Sequence, residues 1–359
     1  MRFFLTAVFA TLLSATTLWA APPSKKLVRL QLGGAQIEGT PLAASGNQVV
    51  LLDRDGRLWD FDADSATNFK KTPSIFQAYT AATMRSRLAA EFGNQFEVSG
   101  TGHYLVVHPK GQRSQWSQRF EDLYRSFVHY FSVRGLTVRA PAFLLVVIVC
   151  PTRQDFRRYI DRDGVKLAED VLGYYSSQTN RVALYDVGDG KGKSRDWSQN
   201  ADTIIHEATH QTAFNTGMHN RFAPPPRWVA EGLGTLFEAP GVWNARNNSN
   251  DKDRINPGRL AAFREYLSRR KAGVTPELIS SDRLFDTDEG AAYAEAWAFT
   301  YFLVEKRPRE YSKYLARTAA RPDFQLYTQA QRLADFTAVF GQNFRLLDAH
   351  FLRFMAAVK

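Results

Sequence analysis

Two histidines four residues apart, with a glutamate directly after the first, stand in "TIIHEATHQTAFNTG" (Thr203–Gly217). On a helix, residues i and i+4 share one face a turn apart, so His206 and His210 can aim two ring nitrogens at one ion. Zn2+ takes imidazole nitrogens in this way and, in catalytic sites, keeps one position open for water. Glu207 then falls beside the ion without binding it, where its carboxylate can serve as general base. A helix is expected because Asp202 or Thr203 can cap its start and Asn215-Thr216-Gly217 can stop it. Taken alone, the pattern also suits an ordinary helix whose histidines are satisfied in the core.

A third ligand separates the two readings. "PPPRWVAEGLGTLFEAPG" opens on prolines suited to a helix start and closes at Pro240-Gly241. Its Glu231 follows His210 by 21 residues, across a connection long enough for the second helix to fold back on the first. Gly232 and Gly234 each cost about 1 kcal/mol of helix propensity, a cost that makes sense where a helix must pack closely beside a metal. His206, His210 and Glu231 are therefore the expected ligands of one zinc per chain, with Glu207 as the base acting on zinc-bound water.

"HEATH" followed by "WVAEG" resembles the gluzincin group of zinc metallopeptidases, in which two histidines and a downstream glutamate hold the metal. More closely, "GTGHYLVVHP", "LGYYSSQTNRVALYD", "HEATHQTAFNTG" and "PRWVAEGLGTLFE" resemble an uncharacterised bacterial domain-of-unknown-function family of exported proteins in the peptidase MA-like clan. The resemblance runs from about Ser74 to the C-terminus. It implies a gluzincin-like fold and a zinc-dependent peptidase, with His206, His210 and Glu231 as ligands and Glu207 as base. Two departures stand out. Gly234 occupies a position where relatives often have alanine. Thr235 stands four residues after Glu231, where some gluzincins place the acid that orients a ligand histidine; Glu238 is the nearest candidate for that role.

Two further expectations come with the resemblance. Gluzincin aminopeptidases carry a catalytic tyrosine at a similar remove from the glutamate ligand, which points to Tyr293 in "GAAYAEAWAFTYFLVEK" as the hydrogen-bond donor to the oxyanion. Tyr301 is two turns further, about 12 Å along the axis, so the two cannot both reach the metal. Gluzincin-like folds also hold an extended substrate on an edge strand before the metal helix. "NRVALYD" shows the alternation of a half-exposed edge, so Arg181 to Tyr185 is expected to border the cleft.

The elements that must position these residues divide the chain into three. Residues 1–20 read as a secretory signal peptide: Arg2, an uncharged apolar stretch from Phe3 to Leu18, then Ala20 and Ala21 before a proline-rich boundary. The protein is thus expected to be exported, periplasmic or extracellular. Residues 27–72 read as a small β-rich module, clearest in the hairpin of "NQVVLLDRDGRLWDF". Its aspartates suggest a calcium loop but lack the glycine and closing glutamate of an EF-hand, and a tight turn accounts for them. Residues 74–359 read as the metallopeptidase-like domain. In it, 74–217 is the α+β part with the HExxH helix and 218–359 is mainly helical. The fold class is α+β, because strands and helices do not alternate regularly.

Composition narrows the function. With 44% hydrophobic and 23% charged residues the chain is globular, and the net charge of +10 is scattered rather than gathered into a stripe. No nucleic-acid partner is expected, and no later segment suits a stable membrane span. "VGDGKGKS" (Val187–Ser194) resembles a phosphate loop, but its first glycine is displaced by one and no helix start follows. Cys150, the one cysteine, ends the apolar run "FLLVVIVC" and reads as a buried, inert thiol. His103, His108, His129 and His350 read as structural, and His219 as lining a cleft rim. The expected partner is a peptide or protein substrate, a cell-envelope component among them. Two rivals share these residues: a zinc hydrolase of other amides or cell-wall peptides, and a catalytically silent exported scaffold that keeps the metal site.

Overall fold

The computed structural model describes residues 26–111, 116–186 and 198–359. The expected signal peptide and the segment Val187–Ser194 lie outside the described residues. Alternating apolar residues build an antiparallel N-terminal sheet from β1 (Lys26–Leu32), β2 (Ala35–Ser45), β3 (Gln48–Asp53), β4 (Leu58–Asp62) and β5 (Ala66–Ile75), in the order β4-β3-β2-β1-β5. One face gathers Val28, Leu30, Ile37, Leu51 and Phe61 into a small core. The other turns Val50, Leu52 and Leu58 toward Phe76, Phe143, Phe222 and Phe324 of the remaining chain. The expected hairpin is β3–β4, with Leu51 opposite Trp59. Its aspartates stabilise the turn: Trp59 Nε1 donates to Asp53 Oδ2 at 3.0 Å and Arg57 N to Asp55 Oδ1 at 2.9 Å. The sheet runs on to Ile75, past the expected boundary at residue 72.

After this sheet come α1 (Ala81–Phe92), β6 (Phe96–Gly100), β7 (Tyr104–Pro109), α2 (Trp116–Ser132), β8 (Leu145–Cys150), α3 (Arg153–Asp163), β9 (Gly173–Ser176) and β10 (Arg181–Tyr185). The strands form a mixed sheet in the order β6-β7-β8-β10-β9, parallel between β7, β8 and β10 and antiparallel at both edges. Alternation again sorts the faces. Leu105, Val107, Val146, Ile148, Cys150 and Ala183 pack against Met84 and Leu88 of α1 and Phe156 and Ile160 of α3. Val106, Val147, Val149, Val182 and Leu184 face the large core that includes α2 and α4 (Ser198–Asn215). Cys150 is buried, and burial pushes its thiol up to about 12.

This order overturns one expectation. Arg181–Tyr185 lies between β8 and β9, buried throughout, and the sheet edge is β9. A parallel strand flanked on both sides and covered by helices on both faces has no exposed edge. The alternation that suggested one sorts two buried faces instead.

From α4 onward the chain is helical: α5 (Arg227–Phe237), α6 (Pro240–Trp243), α7 (Pro257–Leu267), α8 (Val274–Ser280), α9 (Arg283–Thr287), α10 (Glu289–Lys306), α11 (Pro308–Ala319), α12 (Gln329–Phe340) and α13 (Phe344–Ala357). Helix α10 is apolar on every side and sits in the middle, buried from Ala291 to Val304. It meets α5 at Gly232, where a Cβ would stand 2.7 Å from the Ala296 carbonyl oxygen. The molecule is therefore α+β, with a β-rich N-terminal part and a helical C-terminal part. No helix among the described residues is long and apolar enough to cross a membrane.

Candidate metal centre

Helix α4 starts before the expected cap, at Ser198, and ends at Asn215, two residues before Gly217, whose φ of +78° an L side chain adopts only with strain. It carries His206, Glu207 and His210 into the interior, where none exceeds 2% exposure. Helix α5 folds back across it and delivers Glu231, also fully buried. The ligand atoms converge: His210 Nε2 lies 2.9 Å from His206 Nε2, His206 Nε2 3.2 Å from Glu231 Oε2, and His210 Nε2 3.5 Å from Glu231 Oε2. For bonds of about 2.0–2.1 Å the edges of a tetrahedron are about 3.3–3.4 Å. The triangle is thus the size of one face of a small cation's coordination shell. Among the described residues it is the only His, Cys, Asp and Glu grouping that could hold a metal ion.

The chemistry of the donors agrees. His206 Nδ1 lies 2.9 Å from Glu238 Oε1. A carboxylate only accepts, so Nδ1 is the donor and Nε2 presents its lone pair to the other two groups. With His210 Nε2 unprotonated as well, three electron-rich atoms face one another in a dry interior, an arrangement that calls for positive charge at its centre. The same demand shows in His206: burial favours its neutral form, yet hydrogen bonds to Glu231 and Glu238 raise it to about 10. Glu231 is held well below the carboxylate range, since the histidines outweigh its burial. The residues present fit a metal ion.

Glu238 fills the orienting role that Thr235 vacates. Asn256 Nδ2 donates to its Oε2 at 2.6 Å and Arg259 Nη2 to its Oε1 at 3.3 Å, so it stays ionised although buried. Thr235 instead turns back on its own helix, donating to the Glu231 carbonyl one turn earlier at 2.7 Å. Gly234 faces the ligand directly: a Cβ there would stand 2.7 Å from His206 Cε1 and 2.9 Å from Nδ1. Alanine has no room at this position.

Glu207 turns toward β9. Tyr175 N, on the outer edge of β9, donates to its Oε2 at 2.7 Å. Its Oε1 is buried with no hydrogen-bond partner among the described residues. Burial raises the carboxyl to about 8, with His206 opposing and Glu231 adding to the shift. Tyr293 stands beside the cluster, its ring centroid 6.4 Å from that of His206, gripped by Phe285 at 5.6 Å and by Arg259 over its face at 5.2 Å. Tyr301 lies elsewhere, stacked on Trp297 at 5.5 Å.

His219 is not at a rim. It is 1% exposed, because the turn after Gly217 brings its N–H to the Ala213 carbonyl at 2.9 Å and folds the ring against Phe214. Burial and His210 hold it down to about 3, hence neutral. His103 is structural as expected: its Nδ1 lies 2.9 Å from the buried Glu121 and its ring stacks on Tyr124. Sequence reasoning did not find the Tyr175 N–H, Asn256 or Arg259. The first is a backbone group with no residue signature, and the other two lie on the cap and first turn of a helix distant in sequence.

Fold and site together define an α+β protein with a buried two-histidine, one-glutamate centre of metal-ligand spacing and a separate carboxylate beside it. Residues 200–325, which carry every one of these side chains except the Tyr175 backbone, match the model of a family described as a protein of unknown function (DUF1570). No curated protein matches the chain.

Proposed function

We propose that this protein is an exported zinc-dependent metallohydrolase that cleaves peptide amide bonds. The observation that carries the reading is Glu207: a buried carboxylate next in the chain to His206 and not one of the three grouped residues, with one oxygen anchored and the other without a hydrogen-bond partner among the described residues. A purely structural metal site has no use for such a group. His206, His210 and Glu231 would hold the ion, and Glu238 would fix the His206 tautomer. When bound, Zn2+ supplies Lewis acidity, polarising a carbonyl and lowering the pKa of water to about 7. Glu207 Oε1 can then take the proton of an attacking water and pass it to the leaving amine, while Oε2 stays on the Tyr175 N–H. The two-histidine, one-glutamate set and its resemblance to gluzincins support zinc over other ions, and the apolar N-terminal stretch supports export.

The test is zinc content and hydrolysis measured together, with a quenched-fluorescent peptide library as substrate. A wild-type protein that holds no zinc, or holds it and cleaves no amide, overturns the reading and leaves the scaffold alternative.

Tyr293 is the proposed donor to the developing oxyanion. Its ring centroid stands 6.4 Å from that of His206, beside the cluster. Tyr293→Phe is expected to keep zinc and melting temperature while kcat falls about 10²-fold. A variant with wild-type kcat would return Tyr293 to the core.

A further inference from the structure

The strand that holds Glu207 is short and has one neighbour among the described residues. β9 comprises four residues paired there only to β10, so that ladder alone does little to fix the turn at its end. That turn is held from outside. Arg221, in the loop after α4, donates from Nε to Ser177 O at 2.6 Å and from Nη2 to Gly56 O at 2.6 Å and Gln178 O at 3.2 Å. Leu58 N donates to Gln178 O at 2.7 Å. The β3–β4 turn of the N-terminal sheet is thereby docked on the β9–β10 turn, with no slack between them: a Cβ on Gly56 would lie 3.1 Å from Asn180 Nδ2 and from Phe143 Cγ. Arg181 adds an ion pair across the same junction, reaching Asp55 at 3.6 Å.

From this junction, contacts lead inward without a gap. Tyr175 OH donates to Asn180 Oδ1 at 2.9 Å, and Gln211, next to His210, donates to the Asn180 carbonyl at 3.0 Å. Asn215 Nδ2 also reaches Asn180 Oδ1, at 2.7 Å. The last link is the Tyr175 N–H on Glu207 Oε2. Arg221 itself is 9% exposed, and among the described residues its hydrogen-bond partners are all carbonyl oxygens. Burying a guanidinium without a contacting carboxylate is costly, which marks the junction as more than surface packing.

We infer that Arg221 is a positioning residue for Glu207: it clamps the N-terminal sheet to the β9–β10 turn and so sets the edge strand that aims the base. The N-terminal sheet is then a working part of the site. The inference rests on the reading of Glu207 as the base.

Arg221→Lys keeps the charge but cannot reach three carbonyls, and Gly56→Ala presses on the junction from the other side. In the full chain, each is expected to keep its zinc and KM while kcat falls about 10-fold, as small misplacements of a catalytic group do. Placed on Glu207→Gln, neither lowers the residual rate further, because there is no longer a base to misplace. Hydrogen exchange at residues 173–180 should quicken about 10-fold while residues 203–215 keep their protection. Wild-type kcat in both variants, an equal loss on the Glu207→Gln background, or unchanged exchange at 173–180 overturns the inference. A wild-type protein without zinc or hydrolysis points instead to failure of the functional reading, and is told apart because it needs no variant.

Discussion

Glu207→Gln is expected to fold, to hold zinc as wild type does, and to lose hydrolysis by about 10²–10⁴-fold, the range supplied by a positioned general base. The amide has the size of the carboxyl group, and its oxygen can still accept from Tyr175 N, which now sits 2.7 Å from Oε2. What disappears is the basic oxygen with no partner among the described residues. Turnover of a responsive peptide, measured beside metal content, decides the matter. Equal rates in variant and wild type would dispose of the mechanism and leave the carboxylate as packing.

Glu231→Ala should purify without zinc, where wild type holds about one per chain. Glu231 is the only ligand from α5, and its removal leaves two imidazoles on one turn of α4 that cannot close a site alone. Glu238→Gln tests the shell outside it. The substitution keeps the shape but weakens the hold on His206 Nδ1, now at 2.9 Å, and zinc affinity should drop by about 10–100-fold. Competition with a chelator reads both. Full occupancy in Glu231→Ala would show that the ligand set is wrong.

The site was legible in sequence where helix geometry alone sets the spacing. His206, Glu207 and His210 follow from an i, i+4 repeat, and the glycines beside Glu231 announced a close approach that the structure realises at His206 and at Ala296. Glu238 was within reach for the same reason, since seven residues return to nearly the same face of a helix. What the sequence could not order was the sheet. β9 and β10 form a hairpin, but which of them faces outward depends on the parallel pairing of β10 with β8, a contact between strands separated by α3. Arg181 is itself buried, paired with Glu91 at 2.8 Å and with Asp55.

Gly234 carries a consequence for anyone who would make this protein sturdier. Replacing glycine by alanine inside a helix ordinarily gains about 0.5–1 kcal/mol, so α5, with two interior glycines, is the first place a thermostability screen would look. Here the new methyl would sit 2.7 Å from a ligand ring and 2.9 Å from the nitrogen that Glu238 orients. Overpacking of that kind costs about 1–3 kcal/mol, enough to cancel the gain, and the group that yields is the imidazole. Gly234→Ala should therefore surrender zinc to a chelator more readily without losing helical circular dichroism; a variant that melts higher and grips zinc as firmly would refute this. On this account α5 is a weaker helix than its length allows because the metal ligand occupies the space its side chain would need, and hardening the helix and keeping the ion are competing aims.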